Sequence, residues 1–411
     1  DGSALSIFEA AQGGEKDIRL IRKVLSSGHK TILEHIGVTV AFDQVSVVVE
    51  QAMIEARLNA FTVKSRRYVN FSDAGYVLPE GLDAGVAGRY RAYMDDCFDR
   101  YGKLLALGVP KEDARYVLPY SFRSNFYMTL NARGLLQVIM MLTKGRGSRF
   151  PELRRLGEQL REQFEQLLPG VCAQEERHCA PGFAAPLPER FGEGAPVRNR
   201  VELLRAPEGA EGLLSDAMAF SGRIPAGRPA RPDELEALLS DARPRELEEL
   251  NYAFLVRGVS QSCITHFVRH RIQSILVPEA AQALAKGDFV LPESIAGNPE
   301  ALAIYAPAFR RAAKLLPEVL EAGMPACHAM YFVLSGHVSD IRLSMNAREL
   351  LHFLKLRTCN RAQWEIRDAA WQMQRLLEQT YPALFGLYGP SCKVEGRCPE
   401  GKLTCGRPYE R

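Results

Sequence analysis

Several things are scarce in this 411-residue chain, and each scarcity removes a class of protein. Net charge is small: 52 Lys and Arg against 49 Asp and Glu leave a formal +3, too weak a field to gather nucleic acid or an anionic membrane. Any anion site must therefore be local. Long apolar runs are missing, since stretches such as Leu135 to Leu142 fall far short of the ~20 residues that cross a bilayer. Nine cysteines are too few for a disulfide scaffold at this length. There is no glycine-rich phosphate loop of the Walker or dinucleotide-binding kind, so a nucleotide would be held by side chains and helix ends. A basic-then-apolar leader is also lacking, although the chain opens at Asp1 rather than at Met, and a cytoplasmic location without membrane insertion is expected. The basic stretch Lys144 to Arg155, which includes Arg146, Arg149 and Arg154, has one aromatic residue, Phe150. It reads as a solvated helix-to-loop surface rather than an RNA-binding face.

What is present is an ordinary globular composition, 46% hydrophobic and 25% charged, organised by an internal repeat. The segment Thr129-Leu-Asn-Ala-Arg-Gly-Leu-Leu136 returns as Ser344-Met-Asn-Ala-Arg-Glu-Leu-Leu351, an offset of 215. Tyr76-Val-Leu-Pro-Glu80 returns as Phe289-Val-Leu-Pro-Glu293, an offset of 213, and Gln44-Val-Ser46 aligns with Gly258-Val-Ser260. Three ordered matches at nearly constant offset mean two diverged tandem copies. The Pro-, Gly- and Ala-rich stretch between Cys179 and Arg198 reads as the connection. The expected division is a first copy over 1–185, a linker over 186–198 and a second copy over 199–411, with an upstream strand of the first copy left open. Each copy places an apolar strand (Gly37 to Phe42; Asn251 to Val256) before a helix, a Val-Leu-Pro loop and long amphipathic helices. That order predicts an α+β fold, each copy a small antiparallel sheet with long helices. In the last of these helices Asn346, Leu350, Phe353 and Arg357 share a face, so apolar packing holds two polar groups in place.

Arg269-His270-Arg271 follows the apolar Phe267-Val268, which puts two guanidiniums and an imidazole at a buried-looking helix end. Buried cations need partners. A phosphate suits an arginine fork, and positive charge beside a flavin favours its anionic reduced form; a solvated turn is the plainer reading of such a triplet. Context favours the first reading. The chain resembles the flavin-dependent thymidylate synthase family, whose members carry Arg-His-Arg, seven residues, then Ser, usually continuing Ser-x-Arg-Tyr. Here that pattern is split. The second copy keeps Arg269-His270-Arg271 but has Glu279 at the serine position, whereas the first copy has Glu55-Ala56-Arg57 and then Ser65-Arg66-Arg67-Tyr68.

The division extends further. Gly28-His29-Lys30-Thr31-Ile32-Leu33-Glu34-His35 and Gly108 to Pro119, which holds Arg115, look like the family in the first copy; the second has Met330 at the Arg115 position. The stretch Asn346 to Arg367 looks like the family in the second copy, and the first has Leu142 where Arg357 stands. Asn-Ala-Arg survives in both copies. By resemblance, Ser65, Arg66, Arg67, Arg115, His266 and Arg357 would hold dUMP. Arg269, His270, Arg271, His29, Thr31, Asn131, Arg133, Asn346 and Arg348 would hold FAD, and Ser65, Arg269 and Arg357 would carry the catalytic roles. The implied reaction is reductive methylation of dUMP to dTMP with methylenetetrahydrofolate and NADPH as co-substrates, in a composite site built from both copies. A homodimer would mimic the family's homotetramer. Two departures, Val63 in place of an expected Glu or Gln and His266 in place of Gln, bear on the nucleotide pocket and leave open a noncatalytic or repurposed flavin- or nucleotide-binding relative. Cys392, Cys398 and Cys405 resemble a C-terminal extension of some members. Three thiols make an incomplete tetrahedral metal site, with zinc the candidate and Cys172, His178 or Cys179 able to supply a fourth ligand; reduced thiols and disulfides are the other readings. Cys97, Cys263, Cys327 and Cys359 read as small core residues.

Overall fold

The computed structural model describes residues 3, 5–6, 14–172, 185–407 and 409. In the first copy α1 (Glu15–Ser26) leads through a 3-10 turn at 30–35 to β1 (Gly37–Ser46), α2 (Val47–Ile54) and β2 (Ala60–Val63). The long α3 (Ala84–Ala106), β3 (Arg123–Asn131), α4 (Ala132–Thr143) and α5 (Pro151–Leu167) complete it. The second copy runs β4 (Pro196–Val197), β5 (Arg200–Arg205), α6 (Ala210–Phe220), α7 (Pro232–Ser240), β6 (Asn251–Ser260), α8 (Gln261–Phe267), β7 (Ser274–Leu276) and β8 (Phe289–Val290). It closes with α9 (Pro299–Glu321), β9 (Val338–Asn346), α10 (Ala347–Arg357) and α11 (Trp364–Glu378). No helix among the described residues is long and apolar enough to cross a membrane.

Two antiparallel sheets repeat one plan, β1-β3-β2 in the first copy and β5-β6-β9-β7 in the second. β3 and β9 lie inside their sheets. They bury alternate residues, Ser124, Phe126, Met128 and Leu130 in one and Ser339, Ile341, Leu343 and Met345 in the other, the period of a pleated strand. Registers match too: Gly37 faces Asn131 as Asn251 faces Asn346, and each first strand bulges at the same place. The bulge residues Gln44 and Gly258 have φ of 54° and 64°, a region that costs the glutamine more than the glycine. Asn125 Oδ1 accepts the Gln44 N–H at 2.7 Å, and Asp340 Oδ1 accepts the Gly258 N–H at 2.9 Å, so the same side-chain clamp stabilises both.

The two copies face each other across a local two-fold axis. Tyr120 N–H donates to the Val333 carbonyl at 2.8 Å and Ser335 N–H to the Leu118 carbonyl at 2.9 Å, a reciprocal pairing of equivalent segments. Tyr116 donates its hydroxyl to Glu365 at 3.1 Å, and Tyr331 donates its own to Glu152 at 2.6 Å. Each glutamate also takes both the N–H and the hydroxyl of a serine of its own copy, Glu365 from Ser260 at the end of β6 and Glu152 from Ser46 at the end of β1. The long helices α3 and α9, capped by Asp83 and Asn298, pack on each other. The main core therefore mixes Tyr90, Tyr93 and Met94 with Tyr305, Phe309 and Phe332, while a second core lies under the β6–β9 sheet. The stretch 192–197 runs along 284–290, with Phe289 N–H donating to the Ala195 carbonyl.

Candidate active site

The axis brings the Ser-Arg-Arg-Tyr loop after β2 against the end of α8, joining segments about 200 residues apart in sequence. Ser65 accepts the Arg67 N–H at 3.3 Å and so shapes the turn. Arg66 is buried on Glu50, whose other oxygen takes the Ser124 hydroxyl at 2.6 Å. Arg67 pairs with Glu112 at 3.1 Å and donates to the Arg361 carbonyl of the second copy at 3.3 Å. Arg115, 3% exposed, donates through Nε to the Glu112 carbonyl, but its Nη2 is buried without a partner. The neighbouring Asp113 takes the Trp364 indole N–H at 2.8 Å, and Gln363 donates to the Tyr116 hydroxyl at 3.0 Å, which locks the Arg115 segment onto α11.

From the second copy come His266, Arg269, His270 and Arg357. Arg357 donates through Nε to His270 Nε2 at 2.9 Å and through Nη2 to the His266 carbonyl at 3.3 Å. His270 is thus an acceptor at Nε2, which places its proton on Nδ1, 3.3 Å from Glu349 Oε1. Burial, then Arg357, His352 and Arg269, push His270 down to about 2, and burial raises Glu349, so this contact is not an ion pair. Burial also lowers Arg357 to about 10, followed by repulsion from Arg269, which leaves it charged at neutral pH. His266 is held well below its ordinary range by burial first and then by Arg115, Arg269, Arg357 and Arg67; its Nε2 is buried without a partner. Arg269 is solvent-exposed at its surface, yet the crowd of protein atoms around it, and then Arg66, Arg115 and Arg67, lower it from the ordinary arginine range.

Mutual repulsion of this kind concentrates positive charge in one place, which suits the cluster to an anion. Glu50 and Glu112 neutralise Arg66 and Arg67, whereas Arg115, Arg269 and Arg357 are ion-paired with no described residue. One mixed cluster therefore offers three uncompensated guanidiniums, a neutral imidazole and the half-buried Ser65.

Other expected residues lie elsewhere. Asn131 and Asn346 cap α4 and α10, each side chain accepting an N–H at 2.8 Å from Gly134 and Glu349, so the repeated Asn-Ala-Arg is a helix-start signal. His270 is 4% exposed, packed on Phe353 and accepts from Arg357. Arg133 pairs with Glu34 and Arg348 with Glu248, while His29 and Thr31 are exposed beside the 3-10 turn. Arg271 donates to the Asn59 carbonyl of the first copy at 2.6 Å. Sequence reasoning missed the glutamates. Glu50 could have been suspected, since a carboxylate inside Val47-Val-Val-Glu-Gln51 has to be paired if that helix is buried.

The cysteines also depart from expectation. Cys97 and Cys263 are core residues, but Cys359 is half-buried at the end of α10 and lines a cavity with Cys392, Cys398 and Cys405. Cys172 lies in the first copy's core and is no fourth ligand for this tail; His178 and Cys179 fall outside the described residues.

The thymidylate synthase complementing protein family model matches residues 3–170 and again 208–383, once for each copy. The chain is 34% identical over 179 residues to the flavin-dependent thymidylate synthase of Geobacter sulfurreducens, covering 43% of this chain and 77% of that protein. It is 37% identical over 166 residues to the enzyme of the same name from Thermococcus onnurineus, covering 38% and 68%. A crystal structure of thymidylate synthase X from Helicobacter pylori with FAD and dUMP aligns with 46% of this chain and 97% of its own at 21% identity and a TM-score of 0.37. The chain belongs to the flavin-dependent thymidylate synthase family of enzymes, as a tandem duplication of its domain.

Proposed function

We propose that the mixed cleft binds dUMP and that the protein converts it to dTMP, taking the one-carbon unit from methylenetetrahydrofolate with FAD as cofactor and NADPH as reductant. The observation that carries this reading is the unpaired buried Arg115 Nη2 beside the unpaired His266 Nε2, in a cluster drawn from both copies. Arg115, Arg67 and Ser65 form the phosphate end. Arg357, fixed by the His270 ring and the His266 carbonyl, presents its remaining N–H groups to the pyrimidine edge and stays charged. When bound, the flavin supplies the hydride and mediates methylene transfer. The residues themselves bind, orient and stabilise negative charge, which is the protein's usual share of cofactor chemistry.

The residues present fit the flavin once a second chain is added. Arg269 and Arg271 offer cations at the cleft, while His29, Thr31, Arg133 and Arg348 lie on outward faces that a second copy of the chain would bring to it. The reading therefore includes a cytoplasmic homodimer with the repeat divided at 1–185, 186–198 and 199–411. A second reading, a flavin- or nucleotide-binding relative with another substrate, draws support from Val63, from His266 and from the commitment of Asn131, Asn346 and His270 to internal bonds.

The test is chromatographic detection of dTMP after incubating purified protein with dUMP, methylenetetrahydrofolate, FAD and NADPH. Product is expected. Flavin retention without product would favour the second reading. Arg115→Ala and Arg357→Ala, each inactive, should stay inactive when mixed, because both groups serve one cleft of one chain; recovered activity would place the site between chains.

A further inference from the structure

The C-terminal tail carries chemistry that the nucleotide cleft does not use. Beyond α11 the chain makes single turns at 382–385 and 391–394 and then passes through Gly396, Pro399, Gly401 and Gly406. Leu384, Phe385 and Tyr388 are buried in the second core, but the part after Val394 has little to pack with; Leu403, its last leucine, is 61% exposed. A segment so poor in apolar side chains needs another device to hold it.

Four thiols surround one cavity of about 100 Å³ between this tail and the end of α10: Cys359, Cys392, Cys398 and Cys405. All four are half-buried and free. Donors already point at three of the sulfurs. Arg361 N–H reaches Cys359 Sγ at 3.5 Å, Tyr409 N–H reaches Cys392 Sγ at 3.3 Å, and the Asn360 amide reaches Cys405 Sγ at 3.8 Å. Three of the four cysteines lie beyond residue 383, where the family match ends, so the cluster is an addition to the catalytic domain.

We propose that Cys359, Cys392, Cys398 and Cys405 form a tetrahedral zinc–thiolate site that pins the tail to the end of α10. Four soft sulfur donors with no open position select zinc over magnesium or calcium and make the site structural. Among the described residues no three His, Cys, Asp or Glu side chains are gathered at ligating distance, so binding requires the four thiols to close on the ion. Each Cys gives its proton to solvent as its sulfur–zinc bond forms, and nothing is oxidised. A disulfide would instead need an oxidant to remove two electrons from each pair. Cys359 stands two residues after Arg357, and the Arg361 carbonyl beyond it accepts from Arg67, so the metal would brace two walls of the cleft. That consequence rests on the nucleotide reading; the metal itself does not.

The full chain, purified with reductant and without chelator, should contain one equivalent of zinc by elemental analysis, released as a mercurial titrates the thiols. Cobalt substitution should give thiolate-to-metal charge transfer with tetrahedral ligand-field bands. Cys392→Ser and Cys398→Ser should each lose most of the bound metal, and Cys327→Ser, outside the cavity, should keep it. A chain free of metal with four alkylatable thiols would overturn the proposal, as would disulfides among the four or zinc retained by both serine variants. None of these readouts uses nucleotide, so they stand or fall apart from the proposed activity.

Discussion

Two clefts occupy equivalent places about the local axis of this chain, and only one is suited to an anion. Where the first has Ser65, Arg115, Arg269 and Arg357, the second has Glu279, Met330, Glu55 and Leu142. In the second, Glu55 and Glu279 pair with Arg146 and Arg149, and Val48, Tyr120, Phe150 and Met330 line a cavity of about 70 Å³. The backbones repeat, down to the bulges and the serine–glutamate clamps. The chemistry does not. Duplication lets one cleft keep its charges while its twin spends the same positions on packing and internal ion pairs.

The pair Leu142 and Arg357 breaks this comparison most sharply. Leu142 is fully buried, so Leu142→Ala should cost ~2–5 kcal/mol of stability in a denaturant titration while leaving nucleotide affinity intact. Arg357→Ala at the equivalent place should do the reverse, weakening dUMP binding by about 10- to 100-fold through loss of a charge-assisted hydrogen bond. Equal effects of the two changes on binding would mean that the clefts are not specialised. Equilibrium dialysis should then find one dUMP per chain; two would show that the acidic twin still accepts phosphate.

Acidification separates the copies next. His266, His270, His328 and His337, all in the second copy, are buried and held below the ordinary histidine range, chiefly by desolvation, with His270 at about 2 and His337 at about 3. Below the unfolded pKa near 6.5 the unfolded chain takes up protons that the folded one refuses. Stability should therefore fall as pH drops from about 6.5 to 5, by up to ~1.4 kcal/mol per pH unit for each histidine. Glu365 opposes this. Burial raises it to about 7, so its term favours the fold at low pH and is lost as pH rises from about 4.5 to 7. Glu349, also raised by burial, acts in the same sense. Four groups outweigh two, and a melting temperature that holds or rises on acidification would refute the buried, neutral histidines.

Smaller effects test the symmetry itself. Tyr331→Phe deletes a cross-copy hydroxyl to a buried glutamate and should cost about 1–3 kcal/mol; Tyr116→Phe, whose hydroxyl also accepts from Gln363, should cost more. A larger loss for Tyr331→Phe would show that its side carries the interface. Arg146→Ala, which removes a partly exposed pair in the twin cleft, should cost under ~1 kcal/mol.

The sequence by itself determined the duplication, the α+β class and the residue types of the site. Repeated anchors, apolar periodicity and the split Arg-His-Arg and Ser-Arg-Arg-Tyr segments are all local features of the chain. The central strands β3 and β9 do carry polar–apolar alternation, but each runs straight into a helix that carried the repeat with no loop between, so no break in the sequence set the strand apart. Nor could it show that His270 serves Arg357 or that Cys359 joins the tail cysteines. Those facts depend on partners distant in sequence. The tertiary structure alone decided which arginines keep a carboxylate and which are left without one, because burial and charge compensation exist only once the two copies have closed on each other.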